Sequence, residues 1–172
     1  MLGSVSQPRV RRIRATETSE LRALRLKALA DAPDAFATSI AEATRAPAEY
    51  WAAWARRGSI GRMSVTYVAT DAEGWCGMAG GFLVRDGPGV RAVVFGVWVD
   101  PAWRGRGLGR RLLDAVVGWA EARGAAHVEL WVTEHNRAAR TLYTGAGFLD
   151  TGERKPLPSN PDLQELCLRR AM

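Results

Sequence analysis

The sequence has little cysteine, and no apolar run in its 172 residues approaches the roughly 20 that a bilayer-spanning helix needs. Its two cysteines, Cys76 and Cys167, lie far apart and without metal-ligand spacing. We therefore expect two buried or idle thiols and no metal site. Residues 1–14 also lack the apolar segment of a secretory signal. These absences predict a cytoplasmic protein without a membrane partner.

Lysine is scarce too, so the net charge of +6 comes almost entirely from arginine. Such a charge can attract nucleic acid, a membrane surface or an anionic cofactor. The densest basic cluster consists of Arg104, Arg106, Arg110 and Arg111. It coincides with a glycine-rich loop and not with a long basic helix. This favours a phosphate-bearing small molecule, and binding of nucleic acid through the arginines is the weaker alternative.

Length and patterning predict a single domain over residues 1–172, of which 1–8 form a flexible lead-in. Alternating or apolar runs predict strands at about 10–15, 63–70, 75–84, 91–99, 128–132, 148–154 and 163–169. Helical spacing predicts helices from about 18 until Pro33 interrupts, over 47–57 with Gly58 just past its end, from 108 to Gly124, and over 136–144. A loop containing Pro156, Pro158 and Pro161 is expected between the last two strands. This order predicts an α/β chain with a mixed sheet.

The loop at 104–109 follows an apolar run and precedes a helical pattern. Backbone N–H groups at the start of a helix can bind phosphate, and glycine lets the backbone approach the ligand closely. An ordinary tight turn is the plain alternative. A dinucleotide site is disfavoured because no acidic residue follows at the spacing that such sites use.

Two separated motifs carry a resemblance to a known family. The loop Arg104-Gly105-Arg106-Gly107-Leu108-Gly109 fits the pattern Arg/Gln-x-x-Gly-x-Gly/Ala, and residues 136–148 fit Asn-x-x-Ala-x-x-Leu-Tyr-x-x-x-Gly-Phe. In this order they resemble the acetyl-coenzyme A (acetyl-CoA) signature of the GNAT-type N-acetyltransferase superfamily. The resemblance implies a GNAT-like α/β fold, with a central, mostly antiparallel mixed sheet of six to seven strands and about four flanking helices.

The resemblance also implies acetyl-CoA as co-substrate, bound by a core at about 91–149. The residues that it implies at the cofactor are Val97, Trp98, Val99, Arg104, Gly105, Arg106, Gly107, Leu108, Gly109, Arg110, Asn136 and Tyr143. The expected reaction is acetyl transfer to a primary amine by direct attack in a ternary complex, without an acyl-enzyme. A catalytically silent sensor of acyl-CoA is the alternative function.

Tyr143 is the candidate general acid, because a phenol can protonate the departing thiolate. The alternative for Tyr143 is that it serves only as a packed aromatic residue. The alternative for Asn136 is that it only caps the N-terminus of the helix. Many relatives carry a carboxylate on the strand before the loop, but residues 93–98 contain none. Glu129, on the neighbouring predicted strand, is the candidate base and would act through water.

The resemblance puts acceptor recognition on the first two helices and the segment between them. Phe36, Tyr50 and Trp54 are candidates to line a pocket, and Asp34 or Glu42 could attract a cationic amine. The alternative is that Tyr50 and Trp54, at i and i+4, only pack their helix onto the sheet. We expect a small-molecule or peptide amine as acceptor. The resemblance also makes a homodimer plausible.

Overall fold

The computed structural model describes residues 7–172, and these form seven strands, five α-helices and two 3-10 helices. The strands are β1 (Arg9–Arg12), β2 (Ser64–Thr70), β3 (Trp75–Asp86), β4 (Gly89–Val99), β5 (His127–Thr133), β6 (Leu149–Leu157) and β7 (Asn160–Ala171). The helices are α1 (Thr18–Asp31), α2 (Ile40–Arg45), α3 (Ala48–Ile60), α4 (Leu108–Ala122) and α5 (Arg137–Gly145). The 3-10 helices span Pro33–Ala35 and Pro101–Trp103.

All seven strands belong to one sheet, in the order β1-β2-β3-β4-β5-β7-β6. Every neighbouring pair is antiparallel except β4 and β5, which run parallel. The prediction of a mixed, mostly antiparallel sheet is therefore confirmed.

The parallel strands β4 and β5 pair only over their first residues. The last paired residues are Val93 and Glu129. Beyond them, β4 contains a bulge opposite β3, where the four residues from Phe95 to Trp98 face the three from Met78 to Gly80. Gly96 lies in this bulge with φ +63°, a conformation that favours glycine. The sheet therefore opens between the ends of β4 and β5.

Helices cover both faces of the sheet. On one face, α4 buries a stripe of apolar residues: Leu108, Leu112, Leu113, Val116, Val117, Trp119 and Ala120. On the other face, residues of α1 and α3 such as Leu21, Leu24 and Trp51 pack against Val68 and Met78 of the sheet. The polar residues of α4, including Arg111 and Asp114, point to solvent, as expected for an amphipathic helix.

The ends of one predicted helix and one predicted strand were wrong, and one short helix was missed. Helix α3 runs through Gly58 and ends at Gly61, whose φ of +65° suits a helix C-terminus. The short helix α2 was not predicted; it has only six residues and is started by a Ser39–Glu42 capping box. The first strand ends at Arg12 and does not reach 15.

The expected proline loop is largely strand. Pro156 lies in β6, which forms an edge of the sheet, and Pro161 is the second residue of β7. Proline is tolerated at both kinds of position because no interior ladder bond is lost there. Of the predicted flexible lead-in, residues 1–6 lie outside the described residues, while Pro8 is buried.

Both cysteines are free and buried, as expected. Burial raises the pKa of each thiol, which keeps both protonated and unreactive. None of the helices in residues 7–172 is long and apolar enough to span a membrane.

Candidate active site

A cavity of about 400 Å³ lies where β4 leaves β5, between the start of α4 and helix α5. All of the residues predicted at the cofactor line it except Arg106. It is completed by Ala32, Ala35, Phe36, Trp103, Ala138, Ala139 and Leu142. The two sequence motifs, 32 residues apart in the chain, thus form the two sides of one cavity.

The loop that forms one wall of this cavity leads directly into α4. Gly105 and Gly107 have φ of +72° and +77°, so both positions favour glycine. The first N–H groups of α4 have no partner within the helix, and the helix dipole places partial positive charge there. At Gly109 a Cβ would lie 3.3 Å from Leu142 Cδ2. The loop therefore offers backbone donors to an anion, and glycine lets α4 approach α5 closely.

The arginine side chains of the loop contact protein groups. Arg104 pairs with Asp31 and donates from Nε to the carbonyl of Val99 at 2.9 Å. Arg106 stacks on Trp103, with its guanidinium carbon 5.1 Å from the ring centroid. Arg110 bonds to Asp114 and to the carbonyl of Gly145.

Asn136 and Tyr143 occupy the opposite wall. The Asn136 side chain accepts a bond of 3.2 Å from the N–H of Ala139, so it caps α5 as well as lining the cavity. Tyr143 is buried, and its ring centroid lies 6.2 Å from that of Phe148. Burial raises the pKa of the phenol, which keeps it protonated. Each residue therefore combines its structural role with a place in the cavity wall.

Glu129 is surrounded by basic groups. It pairs with Arg91 of β4 and with Arg169 of β7, whose Nη2 lies 3.2 Å from Oε2. His127 Nε2 lies 3.6 Å from the same oxygen. Glu129 is not among the residues that line the cavity. Glu129 of β5 is therefore the centre of an ion-pair cluster that links β4, β5 and β7.

A second cavity of about 290 Å³, called here the arginine pocket, is bordered by Arg25, which contacts Phe36 of the first cavity. It is lined by Arg25, Thr38, Tyr50, Trp54, Arg57, Ser64, Phe82 and Phe95. Tyr50 and Trp54 line this pocket, whereas Phe36 lines the first cavity. Glu42 lines neither, because its carboxylate is bonded to the backbone and hydroxyl of Ser39 at the start of α2.

Arg25 was not singled out from the sequence. It follows Leu21 by four residues and precedes Leu29 by four, and both leucines are fully buried. A residue with this spacing lies on the apolar face of α1. An arginine inside an apolar helical stripe is therefore the signal that could have identified it.

Comparison with known proteins gives matches over most of the chain. The sequence model of the Acetyltransferase (GNAT) family matches residues 26–148. A mycothiol acetyltransferase of Thermobispora bispora is 35% identical over 132 residues, which cover 73% of this chain and 41% of that protein. The chain spans less than half the length of the first curated relatives that it matches.

Solved structures share the fold over nearly the whole chain. An acetyltransferase of the GNAT family from Streptococcus pneumoniae superposes with a TM-score of 0.81 at 17% identity, covering 96% of this chain and 100% of that one. NAA60 of Arabidopsis thaliana, in complex with acetyl-CoA, gives a TM-score of 0.71 at 17% identity, over 96% and 98% of the two chains.

Proposed function

The chain belongs to the acetyltransferase (GNAT) family, and from this premise we propose that it transfers the acetyl group of acetyl-CoA to a primary amine. One observation carries the proposal: the glycine loop, the end of β4 and Tyr143 line one cavity. The transfer would proceed by direct attack of the amine in a ternary complex.

The residues present suit acetyl-CoA. Its pyrophosphate needs several closely spaced donors, and the N–H groups from Gly105 to Arg110 lie at a helix N-terminus. The pantetheine arm needs amide partners in an apolar channel. The divergence of β4 from β5 after Val93 leaves the β4 backbone at Val97–Val99 beside the cavity. We propose that this edge holds the arm and that Asn136 contacts the cofactor.

When bound, acetyl-CoA supplies a thioester that an amine can attack with release of a thiolate. Tyr143 would donate its phenolic proton, or a hydrogen bond, to that sulfur. Burial raises the pKa of this phenol and so keeps the hydroxyl protonated, which leaves it able to donate a hydrogen bond to the sulfur. In the described part of the chain, no aspartate or glutamate lines either cavity. A base such as Glu129 would therefore act through water.

The first test is thermal unfolding with and without acetyl-CoA, followed by measurement of thiol release with a panel of amines. Saturation at about one hundred times Kd adds roughly 2.7 kcal/mol of stability, which is an upward Tm shift of roughly 5 to 10 °C at this chain length. The absence of a shift at any concentration would overturn the proposal. A Tm shift with no thiol release for any of the amines would support the alternative, a catalytically silent sensor of acyl-CoA. The family relationship speaks against that alternative.

The acceptor, as expected from the sequence, is proposed to be a small-molecule or peptide amine. A cytoplasmic location and a homodimer stay predictions. The arginines of the loop, which were the basis for considering nucleic acid, are engaged with protein groups such as Asp31 and Asp114.

A further inference from the structure

Arg25 is a buried cation without a counter-ion in the described part of the chain. It is 7% exposed, and its Nη1 atom has no hydrogen-bond partner. Burial lowers its pKa to about 10, because no carboxylate offsets the loss of water. An unpaired buried charge is expensive, so such a residue calls for an explanation beyond packing.

Two aromatic rings lie against the guanidinium of Arg25. Its central carbon lies 4.4 Å from the centroid of the Phe36 ring and 5.7 Å from that of Trp54. These contacts supply no carboxylate or carbonyl acceptor, so they leave the N–H groups of the guanidinium for another partner. Trp54 is itself held in position, because its Nε1 donates to Thr66 Oγ1 at 3.0 Å. The guanidinium is therefore pre-oriented for a planar acceptor.

The arginine pocket carries positive charge next to the proposed acetyl site. Arg25 and Arg57 both line it, and none of its described lining residues is acidic. Phe36 contacts Arg25 and also lines the cofactor cavity. Arg25 Nη1 would lie 3.5 Å from a Cβ at Gly96, the residue before Val97 of the cavity wall. A molecule bound at Arg25 would thus lie beside the end of β4.

We infer that the acceptor amine also carries a carboxylate, and that Arg25 binds this carboxylate in the arginine pocket. The inference rests on the proposed acetyl transfer and specifies its acceptor. A carboxylate matches the guanidinium in charge and in its planar, two-oxygen geometry. The rings of Tyr50 and Phe95 would cover an apolar part of the same molecule. The carboxylate could belong to a free amino acid or to an acidic side chain of a peptide.

Binding of the carboxylate can be measured without turnover. The probe is 3-phenylpropionate, which has no amine to acetylate, and 3-phenylpropionamide is its uncharged match. We expect the carboxylate, and not the amide, to raise the Tm of the wild type by a few degrees at concentrations above Kd. Arg25→Met should abolish this shift. Arg22→Met, on the exposed side of α1, is the matched control and should preserve it.

Unfolding without any ligand separates binding from a structural role. Methionine keeps most of the apolar stem of Arg25 and removes the unpaired charge. We therefore expect Arg25→Met to unfold at the same temperature as the wild type or higher. A large drop in Tm would show that Arg25 is needed for folding and would overturn the inference.

Turnover tests the acceptor class. We compare phenylalanine with phenylalaninamide, and a tripeptide amide that begins with aspartate with one that begins with asparagine. In at least one pair we expect the wild type to have a kcat/KM about 10- to 100-fold higher for the member with the carboxylate. Arg25→Met should remove this preference and leave the KM for acetyl-CoA unchanged, while Arg25→Lys should keep part of it. The pair that shows the preference identifies the source.

The outcomes distinguish this inference from the proposed function. Acetylation without any preference for a carboxylate, or a preference that survives in Arg25→Met, overturns the inference and leaves acetyl transfer standing. Failure of 3-phenylpropionate to stabilise the wild type also overturns it. A third outcome is that Arg25 binds the carboxylate but the protein does not bind acetyl-CoA. This outcome would support an anion site at Arg25. It would overturn the proposed reaction and, with it, the acceptor assignment.

Discussion

The carboxylate of Asp31 accepts a hydrogen bond of 2.9 Å from the indole Nε1 of Trp98. The same carboxylate pairs with Arg104 of the glycine loop. Asp31 is the last residue of α1, and Trp98 lies near the end of β4. One side chain therefore connects the helix on one face of the sheet to two walls of the first cavity.

These contacts predict a pH-dependent stability. The hydrogen bonds from Trp98 and Arg104 lower the pKa of Asp31. A carboxyl group whose pKa is lower in the folded state stabilises the fold above its unfolded pKa of about 3.9, and this stability is lost as the pH falls through the folded value. The Tm difference between wild type and Asp31→Asn should thus be largest above about pH 5 and shrink as the pH falls below about 4.

Glu121→Gln is the control for Asp31→Asn, since it makes the same change of charge at an exposed site on α4. It should alter the Tm less at neutral pH. Equal Tm values for wild type and Asp31→Asn at pH 7 would contradict the connecting role of Asp31.

The second prediction concerns Tyr143→Phe. Loss of a proton donor at the leaving sulfur should lower kcat by about 10²- to 10⁴-fold. The ring remains, so packing against Phe148 and the KM for acetyl-CoA should change little. Steady-state kinetics with both substrates varied will separate the two constants. Unchanged kcat would leave Tyr143 with its packing role alone.

The third prediction tests Glu129. Replacement by Gln removes the carboxylate shared by Arg91 and Arg169 and should destabilise the fold by about 1–3 kcal/mol. If Glu129 acts as a base through water, kcat/KM for an alkylamine should also fall by 10²-fold or more. A kcat/KM within about threefold of the wild type, in a variant that is folded at the assay temperature, would remove Glu129 from the mechanism.

The local signals in the sequence identified two motifs that the fold brings to one cavity. A glycine loop before an amphipathic helix and the motif at 136–148 each depend on residues close together in the chain, and both lie in the observed cavity wall. The acceptor side depends on contacts between distant segments. Glu42 looked available for a cationic amine, but its capping of α2 occupies it. The place of Arg25 in the apolar stripe of α1 is visible in the sequence, but its contacts with Phe36 and Trp54, 11 and 29 residues further along the chain, are not.

The last prediction compares a glycine at the start of α4 with a glycine inside the same helix. Gly107 precedes α4 with φ +77°, and no atom lies within 4 Å of where its Cβ would be. The cost of Gly107→Ala is therefore conformational, about 1 kcal/mol, because a side chain disfavours positive φ. Gly118 also has open space at the Cβ position but lies inside α4 on its exposed face. Gly118→Ala should therefore stabilise the fold by roughly 0.5–1 kcal/mol.

Both substitutions add one methyl group in open space. A difference between them therefore reports the backbone conformation at Gly107 and not the added volume. We expect Gly107→Ala to lower the Tm and raise the Kd for acetyl-CoA several-fold, since the strained residue must hold its N–H toward the phosphates. Gly118→Ala should raise the Tm and leave that Kd unchanged. Calorimetric titration with acetyl-CoA and thermal unfolding of both variants measure these four quantities. If Gly107→Ala bound acetyl-CoA as tightly as Gly118→Ala does, the left-handed turn would serve the chain path alone, and binding of the pyrophosphate would have to depend on other donors.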